Sequence, residues 1–228
     1  MKSVNTLKNE SSHDFDSLVS LLAVLRSDNG CPWDKAQTHE SIRKCLIEET
    51  YEVVDAIDKD NATSLREELG DLLFQVLFHS QIEDEKGNFN IDEVINEVCN
   101  KMIYRHPHVF GDRKADIDQV PINWDELKKK EKNYASVSET FKNVPDSLPA
   151  LLKCQKIVNK AKSKIGVNDT DISGFISNFD NLKVSENAKR IFEICSLSDA
   201  NTCDLEYELN IITNQFICEC ERIENAKI

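Results

Sequence analysis

Apolar residues recur at three- and four-residue intervals along most of this chain. Phe15, Leu18, Val19, Leu22 and Leu25 fall on one face and predict a helix ending near residues 27–30. Residues 30–41 read as a loop, because Gly30 and Pro32 interrupt the pattern. Ile42, Leu46, Val53 and Ile57 mark the apolar side of a second helix over residues 41–58. Leu65, Leu69, Leu72, Leu73, Val76 and Leu77 predict a third over 64–85, with Gly87 as its natural stop. Ile91, Val94, Ile95, Val98 and Met102 place a fourth over 89–105. It ends at His106, since Pro107 disfavours helical geometry in the residue before it. A short helix from about Pro121 carries Trp124 and Leu127. No two-residue alternation is sustained, so the expected fold class is all-α.

Residues 1–14 are polar and read as a flexible N-terminal arm. Residues 15–133 hold the helices above and form one domain, and 134–147 read as a linker. Residues 148–228 are again helical, with "LPALLKCQKIVNKAKSKIG" the clearest segment.

Composition narrows the function classes. Only six Gly, five Pro and 7% aromatics accompany many Leu, Ile, Glu and Lys, a balance that favours helices. A net charge of −13 argues against a nucleic-acid polymer or an anionic membrane as partner, since either needs a basic face. The eight Cys are scattered without a C-x-x-C pair, which fits reduced thiols better than a disulfide framework. The first residues lack the apolar core of a signal peptide, and no run approaches the roughly 18 apolar residues of a membrane span. A cytoplasmic location is expected.

Acidic residues fall inside the best helices. Glu49 and Glu52 are three apart in "IEETYEVVDAI", as are Glu68 and Asp71 in "REELGDLLFQV", and Glu48 lies four before Glu52. Residues so spaced share a helix face. The short break at 59–63 makes the two helices antiparallel neighbours with axes roughly 8–10 Å apart. The facing carboxylates then either are ordinary solvated residues or converge on a small cation. Oxygen ligands of that kind suit Mg²⁺, with Mn²⁺ as a possible substitute. Asp71 beside Leu69 and before "LLFQVLF" is expected in a stretch buried nearly all round, where an unpaired carboxylate costs several kcal/mol. A di-iron bundle needs Glu-x-x-His, and the residues three before His39, His79, His106 and His108 are Ala36, Val76, Ile103 and Arg105.

Two further pairs share helix faces. Lys101 and Arg105 are four apart on the fourth helix, and Trp124 and Lys128 repeat that spacing on the next. By residue type alone they read as a solvated basic face and a core aromatic. In "GCPWD", Trp33 and Asp34 either form a capped turn or face a substrate or subunit. His106 and His108 read as part of a rigid helix stop.

The acid spacing, together with "NGCPWDKAQTHESIR", "LIEETYEVVDAI", "ELGDLLFQVLFHSQ", "RHPHVFGD", "NWDELKKKEK" and "DSLPALLKCQKI" in that order, resembles the MazG family of nucleoside triphosphate pyrophosphohydrolases. The resemblance covers residues 15–160. It implies an oligomeric all-α bundle, a homodimer or larger, that hydrolyses nucleoside triphosphates to monophosphate and pyrophosphate, in nucleotide-pool housecleaning. It implies that Glu49, Glu52, Glu68 and Asp71 hold Mg²⁺ and that Glu48 orients or deprotonates the attacking water. It makes Lys101, Arg105, Trp124 and Lys128 nucleotide contacts.

Residues 148–228 begin as a second MazG-like domain does, and then depart. No E-E-x-x-E follows, and "LEYELNIITNQF" carries Asn210 and Ile211 where a second E-L-G-D would have Gly and Asp. Isoleucine cannot ligate a metal, so this half reads as a degenerate domain kept for packing. The alternative to an enzyme is a catalytically weak helical oligomer that binds nucleotide or protein.

Overall fold

The computed structural model describes residues 2–111, 127, 131, 141–177, 184–198 and 203–225. Every regular element among them is helical. The chain divides into two compact units, Met1–Trp124 and Asp125–Ile228.

The first unit holds α1 (Val4–Asn9), α2 (Phe15–Leu25), α3 (Pro32–Ala36), α4 (His39–Asp58), α5 (Ala62–Glu85), α6 (Ile91–Arg105) and α7 (Pro107–Phe110). Side-chain caps set where several of these begin. Thr38 and Ser41 form a reciprocal capping box, which starts α4 at His39, two residues before the expected start at residue 41. Asn61 accepts from the backbone N–H groups of Thr63 and Ser64 and starts α5 at Ala62.

α4 and α5 form the central antiparallel hairpin. At the turn, the Asn61 N–H bonds the Ala56 carbonyl at 3.1 Å and the Asp60 N–H bonds that of Ile57 at 3.0 Å. That is a Schellman ending, and it holds Asp60 at φ 51°, in the left-handed region. Gly87 (φ 72°) ends α5 by the same pair of bonds, to Glu83 and Asp84. Leu22 from α2, Ile42 from α4, and Leu77, Phe78 and Ile82 from α5 make the core, with Leu18, Val19, Phe74 and Ile91 packed around it.

Three expectations need correction. The polar arm contains a helix, α1, because Ser3 caps it and Leu7 is buried against the domain. The Lys2 ammonium adds ion pairs to Glu10 and Asp14, both at 2.9 Å. The loop over 30–41 contains α3, with Pro32 in its first turn, where a missing N–H costs nothing. Arg26 fixes that segment: its guanidinium donates to the carbonyls of Asp34 and Gln37 and binds Glu85 with two bonds of 2.8 Å. Ile57, expected on the apolar side of α4, is exposed, since it lies in the last turn beside the start of α5.

In the second unit, α8 (Ala150–Ile165), α9 (Asp169–Ser177), α10 (Glu186–Leu197) and α11 (Leu205–Asn225) pack around Val158, Ile172 and Cys195. The buried Gln155 amide donates to the Cys203 carbonyl at 3.0 Å, and the Leu152 N–H reaches Glu206 at 3.4 Å. No helix among the described residues is long and apolar enough to cross a membrane.

Candidate active site

The α4–α5 hairpin converts local sequence spacing into a cluster. Glu49 lies at mid-α4, Glu68 and Asp71 in the N-terminal half of α5, and one carboxylate oxygen of each lies within 4.8 Å of the other two. Glu49 and Glu68 are half-buried, and Asp71 is exposed. Partial burial raises the pKa of Glu49, and the charges of Glu52, Asp71 and Glu68 raise it further, with a hydrogen bond to Glu52 that needs a proton on one of the two. Glu68 is raised by burial first and then by the charges of Glu52, Glu67, Asp71 and Asp55. Glu52 is therefore electrostatically part of the site, although its own side chain is exposed. All ligand atoms are hard carboxylate oxygens, and their mutual repulsion leaves the site short of positive charge. Such a donor set fits a divalent cation that prefers oxygen.

The other residues singled out in the sequence are not members of this trio, or lie outside the described residues. Glu48 is exposed and pairs with Lys44, one turn earlier, at 2.8 Å. On α6, Lys101 is half-buried and Arg105 is only 8% exposed. Trp124 and Lys128 lie outside the described residues. Trp33 is exposed at the start of α3. His106 caps the end of α6 by bonding the Met102 carbonyl at 2.6 Å, in keeping with a rigid helix stop.

The expected burial around Asp71 is corrected. Leu69, Leu73 and Val76 are 48%, 38% and 39% exposed in the single chain. The apolar surface of α5 is wider than its neighbours cover, and only its C-terminal half lies in the core. Sequence reasoning also passed over a polar network at the other end of the hairpin. His39 stacks on His79 and bonds Glu83 at 2.6 Å. Forty positions separate the two histidines, and only the antiparallel pairing brings them together.

Residues 37–110, from just before α4 to the end of α7, match the MazG nucleotide pyrophosphohydrolase domain. Along nearly its whole length the chain is similar to the nucleoside triphosphate pyrophosphohydrolase/pyrophosphatase MazG of Thermotoga maritima: 37% identical over 222 residues, 92% of this chain and 85% of that one. It belongs to the MazG family of nucleotide pyrophosphohydrolases. Uncharacterized protein YabN of Bacillus subtilis is 49% identical over 146 residues, 64% of this chain and 30% of YabN. The nucleoside triphosphate pyrophosphohydrolase of Escherichia coli is 40% identical over 162 residues, 70% of this chain and 61% of that enzyme. This MazG-family chain thus spans less than a third of YabN and under two thirds of the E. coli enzyme. The matched region contains all three clustered carboxylates.

Proposed function

We propose that the protein hydrolyses nucleoside triphosphates to nucleoside monophosphate and pyrophosphate, with Mg²⁺ held by Glu49, Glu52, Glu68 and Asp71. The observation that carries this reading is the convergence of Glu49, Glu68 and Asp71 across the hairpin. A bound Mg²⁺ would neutralise triphosphate charge and lower the pKa of a coordinated water.

The chain's own residues do the rest. The acids fix where the triphosphate sits, since an anionic ligand cannot approach four carboxylates without their counter-charge. Glu48, one residue before the cluster, orients or deprotonates the attacking water once substrate draws it from Lys44. Lys101, Arg105 and Lys128 supply cationic donors to the phosphates, and Trp124 walls the base. The exposed Leu69, Leu73 and Val76 on α5, with Ile95 and Val98 on α6, support a homodimer or larger oligomer that covers them. Nucleotide-pool housecleaning in the cytoplasm is the role these features fit, and described cysteines that are all free accord with that compartment.

A second reading has one observation in its favour. Among the described residues of the second unit no three metal-ligating side chains converge, so that unit would serve packing or binding. The test is incubation of pure protein with each nucleoside and deoxynucleoside triphosphate and Mg²⁺, resolving monophosphate from diphosphate. Monophosphate with pyrophosphate supports the enzyme. Binding without turnover supports the helical binding module instead.

A further inference from the structure

The imidazoles of His39, at the start of α4, and His79, near the end of α5, lie with centroids 5.0 Å apart and planes 9° from parallel. Their Nδ1 atoms are 2.7 Å apart. A contact that short needs one N–H and one lone pair, because two N–H groups cannot face each other at hydrogen-bond distance. On its far side, His39 Nε2 sits 2.6 Å from Glu83 Oε1. Lys86 and Asn88 hold the same carboxylate, each at 2.6 Å. Glu83 accepts, so His39 Nε2 carries a proton. In the neutral pair the His79 Nδ1–H then donates to His39 Nδ1. A first added proton goes to His79 Nε2, which is buried without a partner among the described residues, as is Gln75 Oε1 one turn earlier. A second added proton has no place unless the rings separate.

We propose that His39 and His79 form a single-proton latch that ties the free end of the α4–α5 hairpin and releases it when the pair becomes doubly protonated. Residues 59–61 close the other end of the hairpin covalently, and Glu49 lies on α4 between turn and latch. Release would loosen Glu49 from Glu68 and Asp71, a consequence that alone rests on the metal-site reading. Charged groups near the pair among the described residues include Glu83, Lys86 and Glu40. From α2, Arg26 is engaged with Glu85. From α6, Glu93 caps its own helix and Asp92 lines a cavity with Leu22 and Ser80.

Burial, and then the charge of His39, lowers the pKa of His79 below the usual 6.5. The unfolded chain therefore binds the proton more readily. Stability from the latch is fully present above about pH 6.5 and is lost as pH falls below it. Glu83, held down to about 2 by Lys86, Asn88 and His39, stays charged throughout that window.

The test compares denaturant unfolding of the wild type and a His39→Phe, His79→Phe double variant, which can stack but cannot titrate, between about pH 8 and pH 5.5. Nitrogen NMR of the wild-type imidazoles accompanies it. The wild-type folding constant should fall relative to the variant's by up to about tenfold per pH unit below pH 6.5. The folded wild type should show the pair taking up one proton. Parallel stability curves, or two rings charging independently in the folded protein, overturn the latch. Should the variant fail to fold, the wild-type spectra decide alone. Neither readout involves metal or nucleotide, so the latch and the enzymatic reading stand or fall separately.

Discussion

Glu49 on α4 and Asp71 on α5 bring carboxylate oxygens within 4.8 Å of each other, and an oxygen of Glu68 lies within that distance of both. Like charges at that distance destabilise the metal-free fold. Glu68→Gln should therefore raise the melting temperature in chelator, and added Mg²⁺ should shrink the difference by restoring counter-charge in the wild type. The pH dependence has a definite sign. Glu49 and Glu68 have raised folded-state pKa values, so their contribution is fully present below about pH 4.5 and is lost as pH rises through the folded values. Thermal melts with chelator and with Mg²⁺ check both statements. An unchanged or lower metal-free melting temperature in Glu68→Gln would mean that the acids do not repel one another.

Arg26 should matter for stability far from the acids. Its side chain is 5% exposed, binds Glu85 with two bonds and tethers α3 through two carbonyls. Arg26→Ala strands all of these partners. The expected loss is about 2–3 kcal/mol, below the range for a fully buried pair because solvent reaches Glu85. Urea unfolding at neutral pH measures it.

Asp60 occupies a left-handed position that glycine adopts without steric cost. Asp60→Gly should stabilise the hairpin by up to about 1 kcal/mol, with turnover unchanged. A stability decrease in the same unfolding assay would mean that the Asp60 side chain supports the turn.

The second unit should tolerate loss of its acids. Glu206 meets a backbone N–H of α8 and Glu208 meets the Cys203 thiol, both bonds within this unit that a glutamine oxygen can also accept. Glu206→Gln with Glu208→Gln should leave nucleotide turnover near wild type in a steady-state assay.

How much was legible in the sequence depended on range. Periodicity located α2, α4, α5 and α6, because each carries a stripe of apolar residues at helical spacing, although Ile95 and Val98 of the α6 stripe are exposed. The acid spacing placed carboxylates on facing helices, because only a short turn joins α4 to α5. A one-residue anchor such as Leu7 in α1 leaves no periodic trace, and neither does a single turn tethered from outside, as α3 is by Arg26. The exposure of Asp71 was missed for another reason. Apolar width on a helix says what can be buried, and the partner that buries it need not belong to the same chain. His39 and His79 each look ordinary in the sequence, and their contact exists only in the folded hairpin.

The central claim is that this carboxylate cluster drives hydrolysis at the first phosphate of a nucleoside triphosphate. It is tested most directly by product analysis with wild type and Asp71→Asn, each with Mg²⁺ and with chelator. Wild type with Mg²⁺ should release nucleoside monophosphate and pyrophosphate. Chelator should abolish release, and Asp71→Asn should lower it by at least about 100-fold, since even groups that only support metal ligands cost 10–100-fold. The variant's helical signal should stay intact. Diphosphate as product, or monophosphate release that persists in Asp71→Asn, would contradict the account.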